Sequence, residues 1–414
     1  VAGAGGAGEG ERTTEEELAL EAEAEELQAA KDATEALLLY LCQAGRDAEA
    51  GELLRANGYK WRLSRQVLHY PLPPALEGGA SGSGSSASGG ASGSSSSSAS
   101  GSSSDSGSSS GIVRVLDDVL NTDALTHLQY VFRPDSAYWS EHNYDTALNA
   151  SSTAGYYSYL FPLDREAQSS VEQVVRQLHT LACESFPQAR EAKYAEWWVH
   201  SRPHCSGHQL HFDSDETRLL AGSSPRHPLV STVLYLGQDS AVGGPTVVTD
   251  QLLEGNLGTQ GWMVPPRLNR LAMFDARYLH GVVPGRGLHT APHKDLRRLS
   301  FMVGFWSDIA AKDRGVDTPG PGQPFPDARS TYTWPSEMQL RSMERGWGGG
   351  GQSVLCEAVR DGGEAVRHLT AVWEGVPKPQ EEGAASASTS TSTTASVSKL
   401  PLHKPSYDTC FQGF

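Results

Sequence analysis

The spacing of apolar positions changes character along this chain, and each change marks a structural boundary. Near the start, Leu18, Leu27, Leu37, Leu38 and Leu41 sit in an Ala/Glu/Leu-rich stretch that opens on Thr14-Glu-Glu-Glu17, the form of a helix capping box. Gly45 offers a stop, and a second helix over Asp47 to Arg55 ends at Asn57-Gly58. The pattern predicts an N-terminal helical hairpin within residues 1–77, with Trp61 to Tyr70 available to dock it on the rest. Further on, Val171, Val174, Val175, Leu178 and Leu181 recur at helical spacing until Phe186-Pro187 closes that helix. Asp123 is expected to cap a shorter helix, and the aromatic, polar run from Tyr138 to Asp145 reads as a loop.

From Lys193 the period shortens to two. Strand-like runs cover Tyr194 to His200, Gln209 to Asp213, Leu229 to Leu236, Thr246 to Thr249, Leu271 to Phe274 and Leu299 to Trp306; Ile112 to Leu116 reads as an earlier one. Many short strands after a helical start predict an α+β fold in which helices flank a β-sandwich or jelly roll.

Composition divides the chain. Residues 78–111 are almost wholly Gly, Ser and Ala, too poor in apolar surface to fold, and read as a disordered tether. A second Ser/Thr/Ala tract, Ala384 to Ser398, belongs to a low-complexity tail over residues 378–414, leaving residues 112–377 as the main domain. The formal charge of −16 argues against nucleic acid as partner, since phosphate binding needs clustered Lys and Arg. Much of that acidity falls between Glu9 and Glu26, in a solvated segment. The five cysteines include no CxxC pair, which reads as free thiols and weakly favours a reducing, intracellular setting. No apolar run reaches the roughly 20 residues that span a bilayer, so no membrane partner is expected.

The chemistry concentrates in His208-Gln-Leu-His-Phe-Asp213. In an extended strand His211 and Asp213 share a face, so an imidazole and a carboxylate converge on one ion, and His280 in Leu-His-Gly-Val-Val-Pro-Gly is the best third ligand. Two histidines and one carboxylate with open positions suit a non-heme Fe(II) oxygenase. In the last long strand, Leu299, Phe301, Val303 and Phe305 share an apolar face, while Arg298 and Ser300 stand on the other. A guanidinium pointing into an interior requires an anion, and a dicarboxylate cosubstrate would supply one. Arg297 should face away. His200, His204, Cys205 and His208 would form a zinc site only if Pro203 and Gly207 did not interrupt them. Trp139, Trp197 and Trp198 are candidates for a substrate cleft or for core.

In this order, His211-x-Asp213, His280-Gly and Arg298-x-Ser300 resemble the Fe(II)/2-oxoglutarate-dependent dioxygenases, most of all the prolyl 4-hydroxylase type of catalytic domain, over roughly Ile112 to Ser307. Tyr235 and the turn Gly243-Gly-Pro-Thr246 match further positions of that family, although collagen-type members carry Lys where Arg298 stands. The resemblance implies a double-stranded β-helix with Fe(II) on His211, Asp213 and His280. It also implies 2-oxoglutarate on Arg298, Ser300 and Tyr235, O2 as oxidant and ascorbate as reductant. The reaction it implies couples oxidative decarboxylation of 2-oxoglutarate to hydroxylation of a C–H bond in a protein or small-molecule substrate. The alternative is a catalytically silent jelly-roll binding module, tethered to a helical segment that engages a protein partner. Only the enzyme requires His211, Asp213, His280 and Arg298 to converge.

Overall fold

The computed structural model of the chain describes residues 14–72, 111–144, 157–215, 218, 222, 224–237, 242–287, 297–311, 317, 320–339, 355–356, 359–376 and 409–413. The predicted tether, except Gly111, and the Ala384 to Ser398 tract lie outside them.

Helices α1 (Thr14–Gln43) and α2 (Asp47–Ala56) lead into strand β1 (Trp61–Leu63) and the short helix α3 (Arg65–Leu68). Gly45, with φ of +73°, reverses the chain between α1 and α2 in a conformation that a side chain would strain. Strand β2 (Val113–Asp117) precedes helix α4 (Thr122–Val131), whose cap is Asn121 and not Asp123: the Asn121 side chain accepts from Ala124 N. The predicted loop at Tyr138 contains helix α5 (Ala137–Glu141), capped by Ser136, because packing of Tyr138 and Trp139 into the core outweighs the lack of periodicity. After β3 (Tyr159–Pro162), helix α6 (Ser170–Ser185) buries the valine and leucine stripe read from the sequence and ends against Phe186.

The strands that follow are β4 (Tyr194–Pro203), β5 (His208–His211), β6 (Val230–Tyr235), β7 (Thr246–Leu252), β8 (Gly261–Val264), β9 (Arg270–Phe274), β10 (Tyr278–Val282) and β11 (Arg297–Trp306). Short strands β12 (Gln323–Pro324), β13 (Arg360–Asp361), β14 (Arg367–Leu369), β15 (Trp373–Gly375) and β16 (Cys410–Phe411) complete the described set. They form an eight-stranded sheet in the order β12-β3-β4-β11-β6-β9-β2-β13 and a five-stranded sheet in the order β14-β8-β7-β10-β5. The core strands of both sheets pair antiparallel. Inner-face residues of the two sheets, among them Val233, Ala272 and Met302 against Val248, Trp262 and Val264, make one apolar cluster, a jelly-roll-like arrangement.

The period-2 pattern of β11 decides which way the eight-stranded sheet faces. Phe301, Val303 and Phe305 are fully buried against α4 and α6 on its outer face, each contributing about 1.5–3 kcal/mol through burial. Their alternates Arg298, Ser300 and Met302 therefore point between the sheets. Trp197 and Trp139 join the outer core, whereas Trp198 lines the interior cavity.

Packing also joins what composition separates. Leu38, Leu41 and Leu54 from α1 and α2 share a core with Leu210, Val247, Met263 and Leu279 on the back of the five-stranded sheet. A small third sheet, β15-β1-β16, draws one strand from each of residues 1–77, 112–377 and 378–414. Buried Arg62 binds it together by donating to Asp47 at 2.9 Å and to Glu374 at 2.6 Å. Arg286 ties the loop after β10 to the same block, donating to Gln43 O at 2.8 Å, and its backbone N–H donates to Tyr70 Oη at 3.0 Å. All five cysteines are free. Among the described residues no helix is long and apolar enough to cross a membrane.

Candidate metal centre

His211 and His280 are cross-strand partners in the β5–β10 pairing, which sets their imidazoles side by side with ring centroids 4.4 Å apart. Strand β10 was not among the predicted strands. Its central place between β7 and β5 is decided by the pairing partners, since Tyr-Leu-His-Gly-Val carries little strand signal of its own. Strand β5 ends at His211, so Asp213 lies just beyond the strand and does not reach the site by strand alternation. Its carboxylate is placed instead by Ser231 of β6, whose hydroxyl donates to Oδ2 at 2.5 Å, and its backbone carbonyl stands 2.6 Å from His227 Nδ1. Sequence reading missed Ser231, whose only signal is its inward parity on β6.

His211, Asp213 and His280 each offer one ligand atom, and these atoms all lie within 4.8 Å of one another. Asp213 Oδ1 is 3.5 Å from His211 Nε2, and Oδ2 is 3.5 Å from His280 Nε2. Each imidazole is held by the carbonyl two residues before it: His211 Nδ1–H donates to Gln209 O at 2.7 Å and His280 Nδ1–H to Tyr278 O at 3.0 Å. Each Nε2 therefore faces the carboxylate, and with the rings deprotonated there their lone pairs make a donor set that fits a divalent transition metal. Burial pushes the His211 pKa down, but the adjacent Asp213 carboxylate more than offsets it, so the net direction is upward. Burial acts to raise the Asp213 pKa, yet His280 and His211 hold the carboxyl well below its usual range.

The triad lies in a cavity of about 360 Å³ that is also lined by Arg298, Ser300, Thr246, Met302, Trp198 and Phe274. Arg298 is buried. Its Nη2 donates to Thr246 Oγ1 at 3.1 Å, its guanidinium lies 5.1 Å from the centre of the Tyr235 ring, and its Nε finds no partner. No carboxylate pairs with it among the described residues, and Ser300 Oγ is likewise buried without a partner. Tyr235 stands behind Arg298 instead of on the cavity wall, its hydroxyl 2.7 Å from Thr246 Oγ1. Gly243 carries φ of +80°, and a Cβ there would come within 2.6 Å of Arg298 Cδ. The turn leading to Thr246 is thus shaped around this side chain. Arg297 faces away and donates to Ser201 Oγ at 2.9 Å.

The remaining histidines do not make a zinc site. His204 is used structurally, accepting from Gly243 N at 3.0 Å through Nδ1 and donating to Arg286 O through Nε2. Among the described residues the one cluster able to hold a metal is His211, Asp213 and His280. His208 stacks on His211 with ring centroids 4.4 Å apart, and burial pushes the pKa values of both His208 and His200 well down, so both rings are neutral near pH 7. Of the segment between His280 and Arg298, residues 288–296, including His289 and His293, lie outside the described residues.

No family model matches this sequence, and no curated protein is significantly similar to it. Solved structures that resemble it include a Pseudomonas putida prolyl-4-hydroxylase, 18% identical, covering 47% of this chain and 86% of that one, with a TM-score of 0.28. Another is an oxidoreductase of the 2OG-Fe(II) oxygenase family from Burkholderia pseudomallei, 16% identical, covering 39% and 73%, with a TM-score of 0.24. A third is the non-heme alpha ketoglutarate dependent carbocyclase SnoK from nogalamycin biosynthesis, 9% identical, covering 52% and 89%, with a TM-score of 0.30.

Proposed function

We propose that this chain is an Fe(II)- and 2-oxoglutarate-dependent dioxygenase that hydroxylates a C–H bond, in the manner of the prolyl 4-hydroxylases it resembles in its motifs, with ascorbate as external reductant. The observation that carries the reading is the shared cavity: two imidazole lone pairs and a carboxylate converge on one wall, and a buried guanidinium without a counter-ion waits on the adjoining one. His211, Asp213 and His280 would hold the iron, which supplies the oxidising power by activating O2 as 2-oxoglutarate is decarboxylated to succinate and CO2.

The protein's own contribution is binding and exclusion of water. Arg298 would take the distal carboxylate of 2-oxoglutarate in charge-assisted hydrogen bonds, with Thr246 and Ser300 adding hydroxyl contacts beside it. Gln209 O and Tyr278 O keep both ligand imidazoles in the Nδ1–H form, so each presents a lone pair and no proton to the metal. Met302, Trp198 and Phe274 give part of the wall an apolar surface, which strengthens the electrostatic contacts beside it.

The test needs no substrate. Addition of Fe(II) and then 2-oxoglutarate to the anaerobic protein is expected to give the weak visible charge-transfer band of a chelated 2-oxo acid, and His280→Ala or Asp213→Ala is expected to abolish it without loss of far-UV circular dichroism. A folded wild-type protein with excess iron and no band would sink the reading in favour of a silent binding module.

A further inference from the structure

Two guanidinium groups share the cavity wall, and the proposed reaction uses only one of them. Arg202 of β4 lies directly opposite Arg298 in the β4–β11 register, so both side chains leave the sheet on its inner face and both line the cavity. Like charges placed opposite each other across an antiparallel pair are destabilising, and neither has a carboxylate partner among the described residues. They lean apart. Arg298 turns over Tyr235 toward Thr246, whereas Arg202 turns the other way, its Nη1 donating to Gly207 O at 3.2 Å. The Arg202 Nε–H is buried with no acceptor.

His200 occupies the next inward position on β4, opposite Ser300. Tyr144 Oη accepts the backbone N–H of Ser201 at 2.9 Å and stands 3.2 Å from His200 Nδ1; in the tautomer in which Nδ1 accepts from the tyrosine hydroxyl, the imidazole proton resides on Nε2. His200 Nε2 is also buried without a partner, a donor left unmet in that tautomer. A buried unmet donor is costly, and here two at neighbouring inward positions, one of them cationic, line the same cavity. What they lack is an anionic oxygen. His208 stands beside this flank, its ring centroid 5.6 Å from that of His200 and 4.4 Å from that of His211, whereas Arg298 is held on the Tyr235 and Thr246 side.

We propose that Arg202 and His200 form a second anion subsite, distinct from the Arg298 pocket, which holds a carboxylate of the compound to be oxidised. This rests on the oxygenase reading and sharpens it: the substrate is a carboxylic acid, anchored on the His211 flank of the metal centre with Trp198 as the apolar wall beside it. Arg202 binds and orients; it takes no part in the chemistry at the metal.

The experiment uses the full chain with benzoate and phenylacetate as probes and benzamide as the neutral control. Saturation-transfer NMR is run on the Zn(II)- and 2-oxoglutarate-loaded protein and again on the unloaded protein, while the visible band of the Fe(II) form reports 2-oxoglutarate affinity. The wild type is expected to bind the carboxylates and not benzamide. Arg202→Gln should weaken carboxylate binding at least tenfold and shift the 2-oxoglutarate midpoint less than twofold, and Arg202→Lys should restore part of the loss. A tenfold shift in the 2-oxoglutarate midpoint for Arg202→Gln assigns Arg202 to the cosubstrate and overturns the proposal. Carboxylate binding that is absent from the wild type, or equal in wild type and Arg202→Gln, overturns it too. Loss of the band in the wild type refutes the oxygenase reading instead, and the NMR of the unloaded protein still tests Arg202.

Discussion

Replacing Arg298 with methionine separates the two reasons a protein has for burying a guanidinium. Methionine fills the same channel over the Tyr235 ring with a similar length and no charge. In the unliganded protein Arg298 has neutral partners only, the Thr246 hydroxyl and the Tyr235 side chain, and an unpartnered Nε, and burial pushes its pKa below the usual range. Removing a charge so poorly compensated should leave the thermal midpoint of the unliganded protein unchanged or raise it. Cosubstrate binding should suffer instead: a hydrogen bond to a charged group contributes about 1.5–3 kcal/mol, or roughly 10- to 150-fold in Kd. At a 2-oxoglutarate concentration of about 100 times the wild-type Kd, the ligand stabilises the metal-loaded wild type by about 2.7 kcal/mol, and a variant bound about a hundredfold more weakly by only about 0.4 kcal/mol. Thermal melting with and without 2-oxoglutarate reads both quantities. If Arg298→Met lost the 3–5 kcal/mol typical of a broken buried ion pair and kept the ligand-dependent shift, Arg298 would be a structural residue and the cosubstrate argument would fail.

Three further outcomes follow from the same geometry. Ser231→Ala removes the hydroxyl that positions Asp213, and Fe(II) affinity measured by competition with a chelator should fall about 10- to 100-fold; an unchanged affinity would show that Asp213 is positioned without it. Gly243→Ala places a methyl group against Arg298 at a left-handed backbone position, so the 2-oxoglutarate midpoint should rise while iron binding persists; a loss of iron binding first would mean that the turn supports the triad and not the arginine. His142 is buried between Tyr138 O and Tyr159 Oη, at 2.5 Å from each, and burial pushes its pKa down to about 4. The unfolded chain, with a histidine near 6.5, takes up the proton first as pH falls. His142 therefore contributes stability that is fully present above pH 6.5 and is lost, by about 3 kcal/mol, as pH falls toward 4. Urea unfolding of wild type and His142→Gln from pH 7.5 to 4.5 should show the wild type losing more, and parallel curves would refute it.

How much of this was legible in the chain depends on whether a signal is local. The alternation of β11 was readable because strand parity is local: once Phe301, Val303 and Phe305 are committed to the core, Arg298 and Ser300 have no other direction to take. The helix stripe of α6 was readable for the same reason. Asp123 was misread as a cap because Asn121, two residues earlier, competes for the same backbone N–H groups, and α5 was missed because its burial comes from distant aromatics such as Trp197 and Trp334.

Parity alone thus determined the inward face of β11 and with it Arg298 and Ser300, while residue type and spacing named His211, Asp213 and His280 as candidates, although Asp213 stands past the end of its strand and β10 was not predicted. Tertiary structure decided their company. Pairing of β5 with β10 brings His280 beside His211, Ser231 on a third strand places a carboxylate that lies past the end of its own, and the β4–β11 register sets Arg202 against Arg298. It also decided that α1, α2, β1 and β16 share the core of the five-stranded sheet, across boundaries that composition draws as breaks. The physical reason is common to all of these: parity gives a side chain a direction, but only the long-range ladder and the packing of two sheets supply what stands opposite.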